Sequence, residues 1–485
     1  NADEMELYGT YEFTDDFEYP AGTYGVQSWW DYGHWITTQS NRIPNANPFQ
    51  QGATSAANFL LSPNETQSHT VLNEQSTEGN QTRYVMVDWQ MATPGSKFGA
   101  PTVFYDAEPN VSRDDFLRTV YQFNQEGRFS GTTSVRTDRF YNSTMTRLYY
   151  YHGSARQPSP IVVDWENRRV QTNDGGDITV AANPRGNQST VRTFNSMREA
   201  EAFVANDTTS QLGGFGAYPT HRVEALDQYR LVHVNNQSAS RSILRTTYRG
   251  AQAAGINPRT TVPPQPSYVK TFERVPGATI EGSNAPANST VTAQVELTIP
   301  NKNSTFTYTQ QAQTTDTGTF SMTVPYSTTE YDEYGPDNGY TDISVHANDS
   351  YTISSAPSFN ESGYVVSYQA NVSVPEGLVN GDESGAIDVE LDRNAQELSI
   401  GGSSSSSDSD SESGSSESDT ATNNGASETS ESSSTDSGSD STDSSSDADS
   451  DSTAGDEGGS NSGSDSDSQS SLDSSIVDAG VKPVD

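Results

Sequence analysis

The chain has 485 residues, of which 31% are apolar, and a formal net charge of −39. This charge excludes nucleic acid as a partner, because a phosphate backbone would be repelled rather than neutralised. The sequence has no cysteine, which excludes disulfides and thiol chemistry, and it has no run of 18 apolar residues that could span a bilayer.

The basic residues indicate a halophilic source. Only four of the 26 are lysine, at positions 97, 270, 302 and 482, and the others are arginine. Abundant acids with scarce lysine keep a protein hydrated and soluble when salt screens ordinary repulsion. Because the sequence begins at Asn1 without a signal-like segment, we expect a processed or excised portion of a longer protein.

The first distinctive stretch is "YGVQSWWDYGHWITT", residues 24–38, which holds three of the five tryptophans. Trp29 and Trp30 each offer one N–H donor, and Asp31 offers acceptor oxygens. A hydroxyl both donates and accepts, so this block is suited to holding a serine or threonine side chain. Residue chemistry alone leaves open a second interpretation, in which Trp-Trp-Asp is a packed loop of the core.

A mixed helical and β region is predicted next. Helices are expected over "QGATSAANFLL" (51–61), "NVSRDDFLRTVYQFN" (110–124), "NSTMTRLYYYHG" (142–153) and "SMREAEAFVAN" (196–206). Ser112 with Asp115 and Ser196 with Glu199 are predicted capping pairs, and Gly153 is a predicted stop. Strands are expected over "PIVVDW" (160–165) and "DITVAAN" (177–183), joined by a turn at 174–176, and over "YRLVHV" (229–234).

From about residue 267 the apolar period changes to two. Alternation runs through positions 291–299, 320–324, 364–374 and 387–391, which predicts an antiparallel β-sandwich or barrel serving as a spacer or stabiliser. From Gly401 onward there are 20 acidic residues and one basic residue, hence a charge of −19. Such a tail is predicted to be a disordered linker, with a partner-binding tail as the alternative. The predicted fold class is therefore α+β, with a mixed core, a β-sandwich domain and a disordered acidic tail.

Twelve Asn-x-Ser/Thr sequences occur along the chain. Each is weak evidence by itself, because a chain rich in Asn, Ser and Thr forms many by chance. Together with the acidity and the Ser/Asp-rich tail, they support one functional hypothesis. In it the chain is a non-catalytic, glycosylated cell-surface ectodomain of the adhesin or S-layer-associated kind.

A second hypothesis comes from a family resemblance. Residues 29–33, "WWDYG", resemble the signature of the catalytic subunits of oligosaccharyltransferases, called AglB in archaea, and "NRIPNANPFQQGA" after them is similar to archaeal members. Members of the family carry a second motif about sixty residues on, Asp-x-x-Lys or a relative with Met. Here Asp88-Trp89-Gln90-Met91 stands at that distance, and Lys97 lies further along. The resemblance covers about residues 5–250, and "VKTFERVPGATIEG" resembles the start of an extra β domain of halophilic members.

The resemblance implies protein N-glycosylation, in which a glycan moves from a dolichol phosphate carrier to Asn of Asn-x-Ser/Thr. It implies that Trp29, Trp30, Asp31 and Met91 bind the serine or threonine, and that Tyr32, Gly33, Asp88 and Lys97 support the two motifs. The family's Mn²⁺ or Mg²⁺ is held by loops between transmembrane helices, so neither metal ligands nor catalytic residues are expected in this chain. The implied setting is the extracellular face of the cell membrane, with acceptor polypeptides and the dolichol-linked glycan as partners.

The resulting domain division has five parts. A central core with the WWDYG motif is expected over 1–154, an inserted β-rich segment with one helix over 155–220, and a return to the core over 221–260. A β-sandwich domain follows over 261–396 and the tail over 397–485.

Overall fold

The computed structural model describes residues 24–40, 42–76, 81–172, 174–186, 189–360, 363–397 and 482–483. The predicted acidic tail, residues 397–485, lies outside these residues apart from Glu397 and the pair 482–483. The helices, numbered in chain order, are α1 Gly33–Ser40, α2 Ala53–Leu61, α3 Glu65–Gln75, α4 Trp89–Ala92, α5 Ala100–Phe104, α6 Arg113–Phe116, α7 Asp138–Asn142, α8 Thr144–Tyr151, α9 Met197–Asn206, α10 Ser240–Ala253 and α11 Glu376–Asn380. Short 3-10 helices span Trp30–Tyr32, Pro258–Thr261, Pro300–Lys302 and Pro336–Asn338.

A central five-stranded sheet positions the tryptophan block. Strands are also numbered in chain order, and this sheet consists of β1 Gly25–Gln27, β2 Ile43–Pro44, β3 Thr82–Asp88, β11 Tyr229–Val234 and β12 Val269–Arg274. The order across the sheet is β11-β12-β3-β1-β2. β1 runs parallel to β2 and β3, whereas β12 is antiparallel to both β3 and β11. The "YRLVHV" strand is confirmed as β11.

Two further sheets, one of five strands and one of three, are formed mainly by residues 117–212. One contains β4 Leu117–Phe123, β5 Phe129–Arg136, β7 Glu166–Gln171, β8 Asp177–Ala182 and β23 Lys482–Pro483, in the order β23-β7-β8-β4-β5. The other contains β6 Ile161–Asp164, β9 Val191–Thr193 and β10 Ser210–Leu212, in the order β10-β6-β9. The predicted strands within 160–165 and 177–183 are therefore confirmed. The turn at 174–176 was assigned to the wrong pair, because it joins β7 to β8.

The predicted helix over 110–124 is wrong beyond its first turn. The Ser112–Asp115 capping box is present, but α6 ends at Phe116 and the chain continues as β4. β-branched and aromatic side chains in 117–123 favour a strand, and a tight turn at Gly127 (φ 74°) brings back β5 as a hairpin partner. The other three predicted helices are confirmed as α2, α8 and α9. α8 is closed by His152, which takes the left-handed conformation before Gly153.

The β domain consists of two sheets. A three-stranded sheet contains β13 Ala278–Ser283, β16 Phe320–Val324 and β21 Ala386–Glu390. A seven-stranded sheet contains β14 Thr290–Ile299, β15 Ser304–Gln313, β17 His346–Ala347, β18 Tyr351–Ser355, β19 Ser358–Phe359, β20 Tyr364–Val372 and β22 Asp392–Glu397. Alternate side chains of β14 are buried, as the period of two predicts. Among the described strands of this domain, every pairing is antiparallel except that of β13 with β21, so the predicted sandwich carries one parallel pair.

The β domain and the central sheet share one hydrophobic core, which includes Phe59, Leu231, Ile280 and Val295. A buried ion network crosses the same boundary, because Arg230 on β11 pairs with Glu273 on β12 at 2.7 Å and with Glu376 on α11 at 2.6 Å. The predicted α+β class, with a mixed core followed by a β domain, is confirmed.

Candidate functional site

The WWDYG block and the second motif lie at the same edge of the central sheet. β1 and β3 are parallel neighbours, so both strands end at this edge. The chain leaves β1 at Gln27 and enters the 3-10 helix of Trp30–Tyr32, which continues into α1. It leaves β3 at Asp88 and enters α4 directly. Two motifs that are far apart in sequence are thereby adjacent in the fold.

Trp29 anchors the block in the core. Its side chain is 3% exposed and packs against Trp30, with ring centroids 5.9 Å apart, and edge-on against Phe104 of α5 at 5.8 Å. Burial of so large an apolar side chain, with two aromatic contacts, fixes the backbone at the start of the 3-10 helix. Trp30 and Asp31 follow on the half-buried rim.

Trp30 and Asp31 each present a polar atom that has no partner among the residues described by the structure. Trp30 Nε1 and Asp31 Oδ1 are both buried. The other carboxylate oxygen, Asp31 Oδ2, accepts a hydrogen bond from Lys97 Nζ at 2.7 Å. An indole N–H can only donate and an ionised carboxylate can only accept, so the pair is matched to a group with both capacities. An uncharged hydroxyl is such a group.

Asp88 organises the second motif. Its Oδ1 accepts from the backbone N–H groups of Gln90 (2.5 Å) and Met91 (3.2 Å), which caps the first turn of α4. Burial raises the pKa of Asp88, while its hydrogen bonds, including one with Tyr32, oppose the rise. Burial also raises the pKa of Tyr32, and the neighbouring Asp88 carboxylate raises it further. Tyr32 therefore stays protonated and links the two motifs.

Lys97 connects the two motifs. Its backbone N–H donates to Gln90 O of the second motif at 3.0 Å, and its side chain donates to Asp31 of the first. Gly33 is required for a steric reason, since a Cβ there would lie 2.2 Å from Ala46 O. Of the predicted residues, Trp29, Trp30, Asp31, Tyr32, Gly33, Asp88 and Lys97 thus lie around one edge of the sheet. Met91 also follows this edge, but its side chain is only 1% exposed and belongs to the core cluster.

Several supporting residues were not singled out in the sequence. Phe104 packs on Trp29, and Asn45 Nδ2 ties the strands together by donating to Gln27 Oε1 at 3.2 Å and Thr82 Oγ1 at 2.8 Å. Asn45 lies within "NRIPNANPFQQGA", so the resemblance of that block contained a signal for it. Phe104 stands in a short helix with no distinctive pattern, and only the fold reveals its contact.

Neither metal-ligand groups nor membrane-spanning helices are found in the described ranges. No group of three or more His, Cys, Asp or Glu side chains there could hold a metal ion. Nor is any helix in that part of the chain long and apolar enough to cross a membrane.

Comparison with known proteins identifies the class of domains present. The family model of the AglB core domain matches residues 3–92, and that of the archaeal glycosylation protein B long peripheral domain matches residues 277–385. These two stretches of the chain are therefore similar to the core domain and to the long peripheral domain of AglB. The resemblance to archaeal oligosaccharyltransferases predicted from the sequence is confirmed.

Individual relatives agree with the domain matches. The chain is 55% identical over 413 residues to the dolichyl-monophosphooligosaccharide–protein glycotransferase AglB of Haloferax volcanii, covering 84% of this chain and 39% of the relative. It is 26% identical over 331 residues to dolichyl-phosphooligosaccharide-protein glycotransferase 3 of Archaeoglobus fulgidus, covering 67% of this chain and 35% of that one. The chain thus spans between a third and two fifths of the length of these relatives. The surface-ectodomain hypothesis finds no support in these matches.

A crystal structure of the Archaeoglobus fulgidus oligosaccharyltransferase in complex with Zn and sulfate is also similar. The match has a TM-score of 0.48 and 21% identity, and it covers 80% of this chain and 44% of that chain.

Proposed function

We propose that this chain recognises the Asn-x-Ser/Thr sequon within an oligosaccharyltransferase, a glycosyltransferase that moves a glycan from a dolichol phosphate carrier to the asparagine amide. The names of the matched relatives support this proposal. Because the chain spans less than half of their length, the transfer reaction is assigned to the longer protein. The part assigned to this chain is recognition of the hydroxyl two residues after the acceptor asparagine.

One observation carries the proposal, namely the unpartnered pair formed by Trp30 Nε1 and Asp31 Oδ1 among the described residues. A serine or threonine hydroxyl accepts from the indole and donates to the carboxylate, which satisfies both atoms. An alanine in its place leaves both unpaired in a buried setting. Discrimination against alanine of up to about 10⁴–10⁵-fold is what a site of this kind can achieve.

The neighbouring residues set the geometry of this pocket. Lys97 holds Asp31 Oδ2 and leaves Oδ1 for the substrate. Trp29 forms the buried wall behind Trp30, and Met91 forms the floor, where it packs against the aliphatic part of the hydroxyl-bearing residue. Tyr32, Gly33 and Asp88 keep the two motifs together.

Transfer of the glycan is assigned to Mn²⁺ or Mg²⁺ and to catalytic residues in other parts of the longer protein. The described residues do not fit such an ion, because they contain no suitable ligand group. Lys97 holds Asp31 Oδ2 and the α4 backbone holds Asp88 Oδ1, so the protein already positions both carboxylates.

The proposed setting is the extracellular face of the cell membrane, where the partners are acceptor polypeptides and the dolichol-linked glycan. The five-part division into 1–154, 155–220, 221–260, 261–396 and 397–485 is proposed with one change, at the start of the β domain. β12 (Val269–Arg274) is hydrogen-bonded within the central sheet, and the match to the peripheral domain begins at residue 277. Both observations favour a later start for the β domain than residue 261.

The test uses the full-length enzyme in membranes, with its lipid-linked donor and paired peptides that differ only in Thr or Ala after the acceptor asparagine. Asp31→Ala should abolish transfer to the Thr peptide, because the hydroxyl loses its acceptor. Trp30→Phe keeps most of the bulk but removes the N–H. It should lower kcat/KM by roughly 5–150-fold, equivalent to about 1–3 kcal/mol for one unpaired buried group.

The matched control is Trp35→Phe on α1, because Trp35 is 60% exposed and lies outside the proposed pocket. This variant should transfer at the wild-type rate. Full activity of Asp31→Ala would contradict the hydroxyl-binding role, as would equal use of the Thr and Ala peptides by the wild-type enzyme.

A further inference from the structure

A second concave site lies between the central sheet and the β domain. It is a cavity of about 660 Å³, within the range of small-ligand sites. Its walls come from residues around the starts of β1, β3 and β11, from the ends of α3, β12 and α11, and from the turn at 339–340. The cavity is therefore built jointly by the two domains.

The cavity is at the opposite edge of the sheet from the WWDYG block. Tyr24 and Gln81, which line it, immediately precede β1 and β3, whereas Asp31 and Asp88 stand at or beyond the ends of those strands. The seven residues of β3 span about 20 Å at roughly 3.3 Å per residue. The cavity is thus separate from the hydroxyl pocket, and its contents cannot be the sequon hydroxyl.

Most residues that line the cavity are polar, which does not suit an apolar ligand. Four lining residues carry amides, two carry guanidinium groups and two carry phenol rings; they are Asn73, Gln81, Gln228 and Asn380, Arg83 and Arg274, and Tyr24 and Tyr340. Amide side chains both donate and accept hydrogen bonds, as sugar hydroxyls do. Tyrosine rings supply flat apolar faces with a polar edge. This combination suits a ligand that presents many hydroxyl groups around a small apolar ring.

Arg274 adds a group with spare hydrogen-bonding capacity. It donates to Asn73 Oδ1 at 2.9 Å, and no carboxylate within the described residues forms an ion pair with it. Arg83, by contrast, is held by Glu273 at 2.8 Å. Arg274 therefore keeps N–H donors that a ligand oxygen in the cavity can use.

We propose that this cavity binds a short, hydroxyl-rich saccharide. The inference goes beyond sequon recognition, and it stands whether or not the WWDYG pocket binds a peptide hydroxyl. The saccharide is recognised through hydrogen bonds with the Gln81 amide and from Arg274, with its ring against Tyr340. Because both domains supply walls, binding should also stabilise their junction.

The test is saturation-transfer NMR on the intact 485-residue chain in molar KCl, with maltotriose, mannotriose and galactose as separate probes. We expect saturation transfer to at least one probe. Gln81→Trp should weaken it at least about tenfold, because Gln81 is an exposed rim residue and an indole there fills the cavity. Tyr340→Ala should weaken it to a similar degree by removing a ring.

The matched control is Gln294→Trp, an exposed glutamine on β14 that does not line this cavity. It should bind like the wild type. Circular dichroism of each variant checks that the fold is intact. Absence of transfer to all three probes would overturn the proposal, as would undiminished transfer in a folded Gln81→Trp variant.

Discussion

Met91 is the proposed pocket residue whose role is hardest to separate from core packing. It is almost wholly buried, so its truncation removes core contacts as well as any contact with a substrate methyl. Met91→Ala should lower the free energy of unfolding by about 2–5 kcal/mol. If Met91 also forms the pocket floor, kcat/KM should fall further for Thr than for Ser acceptors, because only threonine has a methyl group there.

Met145 on α8 provides the matched control for this prediction. It is fully buried in the same core cluster but follows neither motif. Met145→Ala should cause a comparable loss of stability and reduce transfer to Thr and Ser peptides equally. Paired-peptide glycosylation assays on both variants measure the difference. Equal effects of Met91→Ala on the two acceptors would remove Met91 from the pocket.

Contacts between residues distant in sequence could not be predicted from the sequence. The adjacency of Trp30 and Asp31 is local, so a hydroxyl-binding role for the pair could be proposed from the sequence alone. The bond from Lys97 to Asp31 joins residues 66 positions apart. Only the parallel pairing of β1 and β3 brings them together, and nothing in the spacing of the two motifs encodes that pairing.

At the scale of elements, the start of α1 depends on its contact with the loop after β2. Gly33 has an ordinary helical backbone, so its requirement for glycine comes only from the close approach of Ala46. Gly33→Ala should push this loop outward and lower the free energy of unfolding by about 1–3 kcal/mol. It should also weaken peptide use, since Asp31 lies in the preceding turn.

The control for Gly33 is Gly335→Ala. Gly335 also has negative φ, and the nearest atom to an added Cβ is 3.6 Å away. Chemical denaturation of both variants should separate a steric effect from a general effect of replacing glycine. Equal stability of the two variants would contradict the close-approach argument.

α3 contains a carboxyl group whose ionisation opposes folding. Glu65 is buried against residues 227–228, and burial raises its pKa from 4.5 to about 7, although it accepts two backbone N–H bonds there. A carboxyl with a raised folded-state pKa contributes stability that is complete below about pH 4.5 and is lost as pH rises towards 7. The corresponding loss is up to about 3 kcal/mol.

Glu65→Gln removes this titration while keeping an oxygen acceptor. The difference in unfolding free energy between wild type and Glu65→Gln should therefore move in favour of the variant as pH rises from about 4.5 to about 7. Denaturant titrations at constant salt measure it, and the subtraction cancels the many other acids. A pH-independent difference would mean that Glu65 has an ordinary pKa in the folded protein.

Sequence patterns predicted the elements of the β domain better than those of the core. In β14 one face is buried and the other is more exposed, so apolar residues alternate with polar ones in the sequence. In residues 117–123 the burial is irregular, and Phe116, Val120 and Phe123 happen to fit a helical spacing as well. The strand forms because β5 folds back on it, a long-range contact that overrides the local pattern.

At the scale of the whole molecule, charge makes stability depend on salt. The first 400 residues carry 45 acidic and 25 basic residues, hence a charge of −20. Removing screening ions strengthens this self-repulsion in the folded state. The thermal unfolding midpoint should fall by at least several degrees between molar and millimolar KCl. Circular dichroism melts that coincide at the two salt concentrations would count against adaptation to high salt.

The sharing of Arg230 between Glu273 and Glu376 has a consequence for synthesis on the ribosome. Arg230 and Glu273 are buried on adjacent strands, but the second carboxylate comes from α11, which emerges more than a hundred residues after β12. Until then Arg230 lacks one of its two carboxylate partners, and the apolar face of the nascent central sheet lacks the β domain. Stable folding of the central sheet is therefore deferred until nearly all of the structured chain has left the exit tunnel. A chain that stalls before residue 376 is the form most exposed to aggregation and proteolysis.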